Sequence, residues 1–178
     1  FVRDLLRLDL DAYVDVMSTK LIPFWTVGEF KVPDNWWRSR DYHNVPLDVF
    51  YRLVKQAIQS GRSVAIGGDV SEPGRNGFAD AAVIPSYDIP QAYIDQDSRE
   101  YRIAAKSTTD DHGVHLVGYA AHKGRDWFLI KDSGRSARWG KAKGYYYFRD
   151  DFIKLKMLTF TVHRDVLGKL MARFKPAP

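Results

Sequence analysis

The chain has 178 residues, 45% hydrophobic and 28% charged, which suits one domain with a packed core and excludes a disordered or fibrous chain. Its 27 Lys and Arg against 22 Asp and Glu leave a net charge of +5 without blocks of like charge. No stretch approaches the roughly 18 apolar residues of a membrane helix, and cysteine is absent, so disulfides and zinc–thiolate sites drop out.

A start at Phe1, with no initiator methionine or signal-like segment, predicts processing or a piece of something longer. Residues 1–10, with Val2, Leu5, Leu6 and Leu8, read as the end of a helix. Residues 12–17 read as a strand around Tyr13 and Val16. Residues 23–37 mix Phe24, Trp25, Phe30, Trp36 and Trp37 with prolines, an irregular segment pinned by large side chains. The clearest helix covers 46–60. Asn44 lies near its cap, Pro46 suits its first turn and Gly61 follows its end. Leu47, Phe50, Leu53, Val54, Ala57 and Ile58 give it one broad apolar face.

Beyond the helix the period becomes that of strands. Residues 63–66 end in Gly67-Gly68, which reads as a bulge, a turn, or a place where a substrate backbone approaches closely. Strands follow at 114–119 and 127–131, with a turn at Lys123-Gly124 between them, then at 145–148 and 157–163. Residues 77–106 are polar and contain proline, and read as a long surface excursion. No linker or repeat appears. The pattern predicts an α+β protein whose second half is a barrel-like antiparallel sheet with a packed helix.

Three places could carry chemistry or binding. Arg135, Arg138, Lys141 and Lys143 surround Trp139, a basic stretch that could touch nucleic acid. No helix-turn-helix or repeat supports that, and a solvated loop is the simpler reading, so no nucleic-acid partner is expected. His112 and His115 tempt a metal reading beside Asp111, but residues three apart on a strand face opposite ways. With His43, His122 and His163 scattered, neither metal nor cofactor is expected.

Asp132 closes the strand at 127–131, and a hairpin through Gly124 would set it beside His112. An acid next to an imidazole fixes its tautomer and stabilises the imidazolium, as catalytic pairs require. A structural bond at a strand end is the other, less favoured reading of the same pair. Ser133 as nucleophile is opposed by its place directly after the acid and by the lack of a Gly-x-Ser-x-Gly elbow.

The order and spelling of these residues resemble a known family. Asp111-His112-Gly113-Val114-His115-Leu116-Val117-Gly118-Tyr119 resembles the segment around the catalytic histidine of papain-like cysteine peptidases, roughly D-H-x-V-x-x-V-G-Y. Residues 127–133 resemble its next strand, which ends in Asn-Ser, and Trp139-Gly140 and Gly144-Tyr145 resemble the part after that. Residues 42–48 and 61–70 are similar to bleomycin hydrolases and bacterial aminopeptidase C, and Asp150-Asp151-Phe152 with 157–163 resemble the closing elements. The likeness runs over about 12–165.

The resemblance implies that residues 1–178 are the C-terminal, His- and Asp-bearing part of a papain-like peptidase domain, whose Cys-bearing part is not in this sequence. It makes His112 the general base and acid paired with a cysteine thiolate, and Asp132 its orienting partner. Gly67, Asp111 and Gly113 fall at substrate-binding positions. The implied partners are a peptide substrate, the Cys-bearing N-terminal segment or chain, and further copies in a homo-oligomer, with no membrane partner. A cytoplasmic location is implied, with periplasmic or secreted ones left open.

This sequence also departs from the family. Asp132 stands where the family has Asn, adding a negative charge. Gly134 stands where it has Trp, and the ending at 173–178 does not match the terminus that bleomycin hydrolases place in their cleft. Exo- versus endopeptidase action therefore stays open, and a non-catalytic scaffold or binding module is the alternative.

Overall fold

The computed structural model describes residues 2–71 and 73–178. In chain order its elements are β1 (Tyr13–Met17), β2 (Thr26–Gly28), β3 (Tyr42–Asn44), α1 (Leu47–Gln59), β4 (Val64–Gly68), β5 (Arg75–Asn76), β6 (Ala81–Ala82), α2 (Gln96–Ala104), β7 (His112–His122), β8 (Arg125–Lys131), β9 (Tyr145–Arg149), α3 (Asp150–Lys156), β10 (Met157–His163) and β11 (Lys175–Pro176). The described strands form one sheet in the order β11-β2-β3-β1-β10-β4-β7-β8-β9-β6-β5. From β1 to β9 every neighbouring pair is antiparallel, while β1–β3, β2–β11 and β6–β9 are parallel.

Alternation along the strands sorts the side chains. Val16, Ile66, Val114, Phe128, Phe148 and Phe160 point into one core cluster, while His115, Lys131 and Tyr147 are exposed on the outer face. Because this single cluster takes in β1, β9 and Ala82 of β6, the sheet curls around its contents as a barrel-like wall. α1 fills it with Leu47, Val49, Phe50, Leu53, Val54 and Ala57, each worth about 1.5–3 kcal/mol for the larger side chains. Gly61 follows at φ +80°, a left-handed conformation that closes the helix without a Cβ penalty. Asn44 does not cap α1. Its amide donates to the carbonyls of Thr19, Ile22 and Pro23, and its oxygen accepts from the Thr19 N–H, tethering the loop after β1.

Two readings are corrected. Residues 2–6 form a turn and a bend, 7–9 are irregular, and only a single 3-10 turn follows at Leu10–Ala12, so no α-helix is present there; position 1 lies outside the described residues. The polar stretch 77–106 is not structureless. It holds α2, closed by a reciprocal cap between Asp95 and Ser98. The inward residue of α2 is Arg99, fully buried, which donates to the carbonyls of Ser18, Lys154 and Leu158. A helix anchored by an arginine shows no apolar period.

The hairpin β7–β8 turns at Lys123 and Gly124, both left-handed (φ 48° and 73°), the geometry of a type I′ turn. Asp126 ties this hairpin to α1. It accepts from Tyr119 Oη at 2.6 Å, Lys55 Nζ at 2.7 Å and Tyr51 Oη. Burial alone would raise its carboxyl, but the bonds from Lys55, Tyr119 and Tyr51 outweigh it and hold the group below its ordinary value. A lowered folded pKa gives stability that is present above the unfolded value and lost as pH falls through the folded one, so this contribution disappears below about pH 4. Asp126→Asn is expected to cost about 2 kcal/mol at neutral pH, a melting temperature lower by roughly 5 °C, with the deficit shrinking in acid. Equal melting curves at pH 7 would remove Asp126 from the account.

Candidate active site

His112 opens β7 and Asp132 directly follows β8, so the hairpin sets them side by side although 20 residues separate them. His112 Nε2 lies 2.8 Å from Asp132 Oδ1. The Asp132 side chain is 1% exposed and the His112 ring 30% exposed. Asp132 also accepts from the Gly134 N–H at 2.7 Å, Tyr146 Oη at 2.9 Å and Arg75 Nη2 at 3.3 Å. Burial pushes its carboxyl up, but the bonds from Gly134, His112 and Tyr146 hold it below the ordinary value. The Tyr146 hydroxyl is pushed upward, first by burial and then by Asp132.

An ionised carboxylate only accepts, so Nε2 carries the proton that bridges to Asp132. The neutral ring then presents the Nδ1 lone pair, which has no hydrogen-bond partner among the described residues. This is the tautomer a proton acceptor needs, with the acid fixing ring orientation from behind.

Gly67 of β4 lies opposite Gly113 of β7. Both line an open groove of about 520 Å³ on the outer face of the sheet, with His115, Lys131, Ser133 and Thr159. A Cβ at 113 would meet nothing within 4 Å, whereas a Cβ at 67 would come 3.0 Å from Thr159 Oγ1. Asp111 does not reach into this groove through a free carboxylate. It accepts from the Val70 N–H at 3.2 Å and Ser71 Oγ at 3.0 Å, holding the turn after β4. His115 lines the outer-face groove and His112 bonds Asp132, so the two histidines do not converge. Sequence reasoning missed Asp110. Its Oδ1 lies 3.4 Å from where a Gly67 Cβ would be, and burial first, then Asp34 and Asp111, raise its carboxyl to about 6. Tyr146 was legible only as an inward strand position, and Arg75 had no local signal at all.

Residues 91–160 match the profile of the papain family cysteine proteases, and the fold is that of papain-like cysteine peptidases. Over 61 residues the chain is 41% identical to the probable cysteine protease RDL4 of Arabidopsis thaliana and 38% identical to RDL5 of the same plant. Each of these matches covers 30% of this chain and 16% of the relative. The crystal structure of PepW from Lactobacillus rhamnosis HN001 superposes with a TM-score of 0.72 at 16% identity, over 97% of this chain and 40% of that one. The matched segment thus spans a small part of the curated relatives, and the chain spans less than half of PepW.

Proposed function

We propose that this chain supplies the proton-transfer half of a cysteine-type peptidase site. A thiol from a segment upstream of these residues, or from a second chain, would face His112 Nδ1. Nδ1 takes the thiol proton, the thiolate attacks the peptide carbonyl, and the imidazolium returns the proton to the departing amine. Water then gives a proton to the same nitrogen and attacks the thioester carbonyl; the carbon–sulfur bond breaks, the acyl group leaves as a carboxylic acid, and the sulfur recovers the proton. Asp132 holds the ring and offsets the imidazolium charge. Gly67 and Gly113 leave the groove open for the substrate chain, and Asp111 shapes its rim by holding residues 70 and 71. The resemblance to aminopeptidase C favours release of N-terminal residues.

The observation that carries this reading is the 2.8 Å bond at Nε2, which leaves Nδ1 without a hydrogen-bond partner among the described residues on a part-exposed ring. The test assays the native protein containing this chain on aminoacyl and peptidyl fluorogenic amides, with and without iodoacetamide. Release of fluorophore that iodoacetamide abolishes is the expected result. No release, or release that iodoacetamide leaves untouched, would overturn the reading and leave a papain-like binding or scaffold module.

A further inference from the structure

We propose that Arg75 is a positioning residue that cancels the charge of Asp132, so that His112 meets a pair of zero net charge, as it would with a neutral amide. The proposal rests on the reading of His112 and Asp132 as the proton-transfer pair, and it addresses the charge that an acid at position 132 introduces.

Arg75 comes from the far edge of the sheet. Its strand β5 pairs only with β6 among the described residues, and β6 lies on β9. Gly74 fixes this approach. It accepts from the Val83 N–H at 3.0 Å, and a Cβ at 74 would fall 1.8 Å from the Val83 carbonyl oxygen. From there the guanidinium reaches inward until it is 13% exposed, with Nη2 3.3 Å from Asp132 Oδ2 and Nη1 on Ser136 Oγ. Its carbon sits 4.8 Å from the centroid of the Tyr146 ring. Nε is buried without a partner among the described residues. Hydrogen bonding therefore does not fully satisfy this side chain, and its charge is held between the Asp132 carboxylate and the face of the Tyr146 ring.

Among the described residues the charged and titratable groups bonded to Asp132 are His112 from β7, Tyr146 from β9 and Arg75 from β5. Neighbouring Lys131, Arg135 and Arg138 are exposed, and Asp111 is engaged with residues 70 and 71. Among the described residues Arg75 is thus the one fixed cation bonded to a carboxylate that is almost wholly out of water. Removing it leaves an uncompensated negative charge beside the imidazole, which favours the imidazolium. Removing the carboxylate alone leaves an uncompensated positive charge and does the reverse. Removing both restores neutrality.

The test is an NMR titration of the His112 ring in the full chain, a readout that needs no turnover. In Arg75→Met the ring is expected to titrate about one pH unit higher than in the unaltered chain, and in Asp132→Asn about one unit lower. The double variant Arg75→Met/Asp132→Asn is expected to return to the starting midpoint, and Arg75→Lys, which keeps the charge, to stay there. An unmoved midpoint in Arg75→Met, or a double variant that stays displaced, would overturn the proposal. If Arg75→Met does not fold, Arg75→Lys and the double variant decide it. Because peptide hydrolysis is not the readout, an inactive protein with these shifts would refute the peptidase reading and leave the charge coupling standing.

Discussion

His112→Ala in the native protein is expected to lower kcat by about 10²–10⁴-fold, the usual worth of a positioned general acid and base. The fold should survive, because the ring is part-exposed and Asp132 keeps Gly134, Tyr146 and Arg75 as partners. Steady-state kinetics and a melting curve on the same preparation separate the two effects. KM should change little, since the proposed role gives the ring protons to move rather than substrate to hold. Activity within a factor of a few of the unaltered protein would remove His112 from the chemistry. A lost fold would make its bond to Asp132 a structural one.

Gly68→Ala is expected to be the most damaging single methyl in the sheet. A Cβ there would lie 2.2 Å from the Lys156 carbonyl oxygen, 2.8 Å from Met157 Cα and 3.0 Å from Leu158 N. All three atoms are backbone, at the point where the β4–β10 register shifts between Met157 and Thr159. No rotamer relieves the clash, so the strands must part. A loss of about 3 kcal/mol or more follows from overpacking, seen as a melting temperature lower by roughly 10 °C. Gly113→Ala on the neighbouring strand supplies the control, because its Cβ meets nothing within 4 Å. Equal stability for the two variants would sink the explanation.

Gly68 also shows how far the sequence could be read. The Gly67-Gly68 pair signalled a bulge, a turn or a close approach, and only the paired backbone distinguishes them. β10 was legible to its boundaries because Leu158, Phe160 and Val162 alternate with polar neighbours. The main hairpin was legible through Lys123-Gly124, and with it the meeting of His112 and Asp132. α2 escaped because its inward contact is a charged residue satisfied by three carbonyls, a pattern that hydrophobic period cannot register. α3 escaped because seven residues are too few to show one, and its acids Asp150 and Asp151 are buried against Arg125 and Arg149. Arg75 was beyond reach for a different reason. It lies 57 residues before Asp132 on a two-residue strand, and nothing local marks its destination.

The position of β10 bears on how the chain reaches this state. Residues 157–163 are made late, yet their strand lies between β1 and β4, in the middle of the wall. On the ribosome, β1 emerges about 140 residues before its antiparallel partner β10, and until then it and β4 each present one open edge to whatever is nearby. The sheet cannot zip from one end in the order of synthesis. Its centre closes only after both flanking strands have been made, so the interval before residue 163 is when these two edges are most exposed to misassembly.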